Sequence, residues 1–130
     1  MHYHHVLMAL GVLLLAAGCA STRPIVNVTD APVVVSRGNQ LSTTQVRDAI
    51  IQAGRSLSWQ MTATDPGLIT GRLNLRRHAA VVDVRYNAKT YSILYKDSSN
   101  LDYQNGQIHK NYHGWIENLD RSIRNELAAI

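Results

Sequence analysis

Between Trp59 and Tyr95 the apolar residues recur at every second position, a period that a strand can bury on one face and a helix cannot. Trp59, Met61 and Ala63 alternate with polar neighbours up to the turn signal Asp65-Pro66-Gly67. Ile69, Gly71, Leu73 and Leu75 then alternate with Thr70, Arg72 and Asn74, and Arg76-Arg77-His78 forms the next connection. Val82, Val84 and Tyr86 alternate with Val81, Asp83 and Arg85 as far as the turn Asn87-Ala88-Lys89. Tyr91, Ile93 and Tyr95 complete the series against Ser92, Leu94 and Lys96. Connections this short force neighbouring strands to run antiparallel. The expectation is a three- to four-strand antiparallel meander with one apolar and one wetted face.

The segments on either side change period. Ser42 can cap a helix, with Gln45 completing a capping box, and Val46, Ala49, Ile50 and Ala53 fall on one helical face with Leu57 a turn further. After a polar loop from Asp97 to Gln107, a second helix is expected from about Asn111, its stripe formed by Tyr112, Ile116, Leu119, Ile123 and Leu127 with Trp115 beside it. The order is an N-terminal helix, the meander and a C-terminal helix. Each helix has a single apolar stripe, so the expected fold is α+β with both helices packed on one sheet face, over residues 39–130. Phe is absent, and Trp and Tyr must supply the aromatic bulk of the core.

The N-terminus is of another kind. Val6 to Ala17 is apolar residues and glycine only, and no charged side chain precedes Arg23. A helix over that run would be about 18 Å long, short of a hydrocarbon core of about 30 Å but typical of a signal-peptide apolar core. It ends in Leu15-Ala16-Ala17-Gly18-Cys19, which resembles the bacterial lipobox, although Ala16 stands where Leu is commoner. The resemblance implies that residues 1–18 are a lipoprotein signal peptide, cut between Gly18 and Cys19, with palmitate-class acyl chains attached at Cys19. His2, His4 and His5 would leave with that peptide. Residues 19–38 are expected to form a lipidated tether and short extended segments, since Ile25 to Val28 and Val33 to Val35 are rich in β-branched residues and Pro32 interrupts them. Cys19 is the sole cysteine, so an exported domain has no internal disulfide.

Tyr91-Ser92-Ile93-Leu94-Tyr95-Lys96-Asp97-Ser98-Ser99-Asn100-Leu101, Ile108-His109-Lys110-Asn111-Tyr112 and Trp115-Ile116-Glu117-Asn118-Leu119 together resemble a family of small uncharacterised Gram-negative bacterial lipoproteins. The resemblance spans roughly the whole chain and is strongest from Lys89 onward. It implies an envelope location and a shared fold, and it implies no activity. Ala20 and Ser21 supply no Asp after the cysteine, the residue that typically holds lipoproteins in the inner membrane. The periplasmic face of the outer membrane is therefore the expected address.

No assembled chemistry is legible. His109 and His113 stand four apart, a spacing that can present two imidazoles to a metal or a hydrolytic centre, but Lys110 occupies the place where a zincin carries Glu. Asp97, Ser99 and Asp102 suggest a cation loop, yet Leu101, Asp102 and Ile108 break the EF-hand template, and Asp97, Ser98 and Asn100 read better as turn formers. Nucleophile elbow and paired carboxylates are both absent, so no catalytic residue, metal or cofactor is expected. Arg72, Arg76, Arg77 and Arg85, with His78 and Lys89 nearby, form a possible anion-binding patch on the polar sheet face, or a plain solvated surface. The chain carries 13 Lys and Arg against 9 Asp and Glu, a net charge of +4, too dilute for a nucleic-acid stripe. The leading expectation is a non-enzymatic module, anchored to the membrane through Cys19 and touching an envelope protein or cell-wall partner. An anionic lipid or glycolipid binder and a hydrolase around His109 and His113 are the alternatives.

Overall fold

A computed structural model describes residues 21–36, 38 and 40–130. The expected Gly18–Cys19 cleavage site, lipid attachment at Cys19 and signal peptide lie outside the described residues. Strands β1 (Thr22–Pro24) and β2 (Val28–Pro32) precede helix α1 (Thr43–Ser56). Strands β3 (Gln60–Asp65), β4 (Leu68–Leu75), β5 (His78–Tyr86) and β6 (Thr90–Ser99) follow. Strand β7 (Gln107–His109) and helix α2 (Lys110–Ala128) close the chain. No helix among the described residues is long and apolar enough to cross a membrane.

The main sheet has five antiparallel strands in the order β2-β6-β5-β4-β3, which corrects the expected three to four. The period-two runs account for β3 to β6. The fifth strand is β2, which returns from before α1 to pair with β6, setting Val28 opposite Ile93 and Pro32 opposite Thr90. Local pattern marks this stretch as a short extended segment broken by Pro32 but cannot show what it pairs with, because its partner lies over sixty residues away. Those same features suit an edge, where a bulge and a proline discourage further strand addition. A separate two-stranded sheet joins β1 to β7, with Thr22 opposite His109 and Pro24 opposite Gln107.

Helix α1 begins with the capping box: Ser42 Oγ accepts from the Gln45 amide at 3.1 Å, and Gln45 Oε1 accepts from the Ser42 amide at 2.9 Å. Its buried face is Val46, Ala49, Ile50 and Ala53, while α2 buries Tyr112, Ile116, Leu119, Ile123 and Leu127. These residues form one cluster with Met61, Ile69, Leu73, Val82, Val84 and Ile93 from a single face of the sheet. At the crossing of α1 over β3 the helix carries Gly54, and a Cβ there would stand 2.3 Å from Met61 Sδ. The β3–β4 turn uses Gly67 at φ +76°, which glycine adopts without strain.

Strand β6 runs three residues further than the sequence pattern, to Ser99, past a bulge that leaves Lys96 unpaired between Tyr95 and Asp97. The bulge resets which face each side chain meets. This is why the alternation fades at Lys96 although the strand continues.

Candidate functional site

The Arg72, Arg76, Arg77 and Arg85 patch does not stay together. Arg72 is exposed on the outer sheet face, its Nε donating to Asn74 Oδ1 at 3.1 Å. Arg76 and Arg77 form the tip of the β4–β5 hairpin, beyond the closing pair Leu75 and His78. Arg85 sits at the other end of that hairpin, opposite Leu68. Seven strand residues separate Leu68 from Leu75, about 23 Å at the usual rise. Between Arg72 and Arg85 the same face carries Asp83, which accepts from Thr70 Oγ1 at 3.3 Å and pairs with Lys96 at 3.4 Å. The face is therefore mixed in sign, and its basic character collects at the hairpin tip.

His109 and His113 are near in sequence but engaged separately. His109 precedes α2, and its Nδ1 accepts from the Asn111 amide at 3.1 Å, which satisfies one of the free N–H groups of the helix start. His113 Nε2 donates to the Pro24 carbonyl at 2.8 Å, tying β1 to α2. Its buried Nδ1 has no partner among the described residues. Among the described residues no three His, Cys, Asp or Glu side chains converge on one point.

The Asp97–Asp102 loop is turn architecture. Asp97 Oδ1 accepts from the Ser98 amide at 2.8 Å. Asn100, at φ +56°, donates from Nδ2 to the Arg77 carbonyl at 2.6 Å, while His78 Nδ1 donates to the Asn100 carbonyl at 2.7 Å. Asn100 thus clasps the basic hairpin to the β6–β7 loop. Replacing it with Ala removes a hydrogen bond worth about 1 kcal/mol and places a Cβ-bearing residue with no local polar compensation in the left-handed region at about 1 kcal/mol more. Asn100→Ala is expected to lower stability by about 2 kcal/mol in urea unfolding, and Asn100→Gly to recover about half of that.

A tyrosine cluster was not legible from spacing, because its members come from β6, the following loop and α2. Tyr95 stacks on Tyr103 with ring centroids 4.7 Å apart and meets Tyr112 edge-on at 5.8 Å. Tyr91 donates to Asp120 Oδ1 at 2.6 Å across the sheet–helix interface. Burial, then the hydrogen bond to Asp120 and that carboxylate's charge, push the Tyr91 hydroxyl well above the ordinary tyrosine range, against a small opposing pull from Arg124. Burial likewise raises Tyr112, with Tyr95 adding to it, and burial raises Tyr95.

All three phenols bind protons more tightly in the fold than in the unfolded chain, where they titrate near pH 10. Their contribution is intact below about pH 10 and is lost as pH rises beyond it, so stability is expected to fall on the alkaline side. Denaturant midpoints measured from pH 8 to 12 check this. Tyr91→Phe should cost about 2 kcal/mol at pH 7 through the lost bond to a carboxylate, and should flatten the alkaline decline.

Two of the surface hollows lie beside the helices. One of about 470 Å³ lies between the start of α1 and the β3–β4 turn, lined by Thr43, Thr44, Arg47, Asp65 and Tyr86, and its Arg47 is paired with Asp48 at 3.1 Å. The other, about 640 Å³, lies beside the C-terminus against Val35, Gln40 and Leu41. Neither brings a nucleophile to a base. The arrangement defines a small α+β domain with a polar, mixed-charge outer sheet and no convergent reactive set among the described residues. No protein-family model, curated protein sequence or solved structure matches the chain.

Proposed function

We propose that this chain is an envelope lipoprotein, cleaved between Gly18 and Cys19, acylated on Cys19, and acting by contact with an envelope protein or cell-wall partner. The observation that carries the reading is the apolar run Val6 to Ala17 ending in Leu15-Ala16-Ala17-Gly18-Cys19. The absence of Asp after Cys19 favours the periplasmic face of the outer membrane.

The test is the mass of the protein recovered from cells. Loss of residues 1–18 with a diacylglyceryl adduct on Cys19, and accumulation of the precursor under globomycin, is the expected result. Processing that ignores globomycin would overturn the reading. Crosslinking of the lipidated protein in cells, followed by mass spectrometry, then identifies what it touches; an envelope in which nothing is captured speaks against a contact role.

A further inference from the structure

Strand β1 begins three residues after the proposed lipid site at Cys19. From Cys19 to Ser21 is two residues, a reach of at most about 7 Å. The Ser21 carbonyl already accepts from the Lys110 amide at 2.9 Å, and the next three residues are paired into β1 against β7. A chain held in a bilayer at Cys19 therefore brings this end of the domain to the headgroups.

That end is also where the divided basic patch concentrates. Hydrogen bonds and adjoining residues connect Ser21 to the hairpin tip: Thr22 pairs with His109, whose amide donates to the Leu101 carbonyl at 2.8 Å, and the adjoining Asn100 holds the Arg77 carbonyl at 2.6 Å. Arg23, Arg76, Arg77 and Lys110 are all exposed here, and none takes part in an ion pair among the described residues. Asp102 is the acid beside them, lining the same hollow as Ser21 and Thr22. Arg76 holds φ +57°, a left-handed position at the hairpin tip that glycine or asparagine fills more easily. Exposed Tyr103 and Leu75 flank the cations, and tyrosine favours the headgroup level of a membrane. The opposite end mixes Asp65 and the Arg47–Asp48 pair with Arg85 and Lys89.

We infer that the β1–β7 end, with the β4–β5 hairpin tip, is a membrane-apposed surface whose Arg23, Arg76, Arg77 and Lys110 engage the phosphates of anionic phospholipid in the bilayer that holds Cys19. This rests on the lipid attachment proposed above. The anchor supplies affinity, and the four cations set orientation, each contributing about five-fold to association with an anionic surface. The outer sheet face and the far end, with the hollows beside α1 and the C-terminus, are then turned to the periplasm for a partner.

The experiment uses the full lipidated protein. Once Cys19 is acylated, a single introduced cysteine is the only thiol, so a nitroxide can be placed by Asn105→Cys or Leu75→Cys at the apposed end and by Pro66→Cys at the far end. The protein is reconstituted in phosphatidylethanolamine–phosphatidylglycerol vesicles carrying a trace of nickel-chelating lipid. Relaxation enhancement should be several-fold greater at Asn105 and Leu75 than at Pro66. The triple change Arg76→Glu, Arg77→Glu and Lys110→Glu should remove that difference. Equal enhancement at all three labels overturns the apposition and leaves the anchor standing. A folded triple variant that keeps the difference overturns the role of the cations. A mass without lipid on Cys19 overturns the anchor and this inference with it. The label comparison with the cations intact decides the orientation even if the triple variant does not fold.

Discussion

Cys19→Ser is expected to move the protein from the membrane fraction to the soluble fraction without changing its melting temperature. The first half follows from lipid arithmetic. A buried CH₂ contributes about 0.8 kcal/mol, one acyl chain gives only marginal attachment, and two or three hold a protein stably. A serine hydroxyl is no substitute for the thiol that accepts the diacylglyceryl group, so all of that attachment is lost at once. The four exposed cations around the entry point cannot replace it, because a few surface contacts are screened at physiological ionic strength. The second half follows from the fold. Among the described residues every strand and helix and the buried cluster lie within residues 22–128, and Thr22 to Pro24 are held by β7 and by His113. Fractionation with a thermal melt of both forms checks the expectation. A variant that stays with the membrane would show that the chain is retained by something other than Cys19, and one that unfolds would show that residue 19 takes part in the domain.

Gly54→Leu is expected to lower stability by about 3–5 kcal/mol, a large share of the 5–15 kcal/mol typical of a domain this size. Gly54 is buried on α1 where the helix crosses β3, and the first side-chain carbon alone would lie within 2.7 Å of Met61 Sδ, Cγ and Cε. Gly54 stands in the last turn of α1, where glycine is less costly than in a helix interior, and its buried contact with Met61 shows that close packing holds the position. Gly54→Ala is the milder case: the propensity gain offsets part of an overpacking cost of about 1–3 kcal/mol. Met61 is a flexible side chain, so its removal should make room. In a double-mutant cycle, Gly54→Ala with Met61→Ala should be less destabilised than the sum of the single changes. Urea unfolding of the four proteins gives the coupling directly, and strict additivity would show that helix and strand do not meet here as closely as the structure places them.

The Asn100 clasp and the Tyr91–Asp120 bond locate the boundary of what a linear reading can find. Each joins segments more than twenty residues apart, and each member taken alone has an ordinary explanation: asparagine in a turn, tyrosine on a strand, aspartate on an exposed helix face. The same holds for the basic residues. Arg72, Arg76, Arg77 and Arg85 lie within fourteen consecutive positions, and sequence distance suggests a single cluster. An antiparallel hairpin reverses that inference, because residues equally far from its turn become neighbours while those near and far from it are driven apart. Arg85 is therefore carried to the end of the hairpin away from Arg76 and Arg77.

The capping box at Ser42 and the period-two runs from Trp59 to Tyr95 are local patterns, set by contacts within a few residues. The sequence by itself determined these. It also determined both helix faces, because an apolar stripe at helical spacing needs no knowledge of its partner. Only the tertiary structure decided that Val28 to Pro32 completes a five-stranded sheet, that α1 approaches β3 through Gly54, and that Asn100 ties the basic hairpin tip to the β6–β7 loop. Pairing of that kind depends on which distant segments fill the same space, and its energy is spread over many small contacts that no single stretch of sequence records.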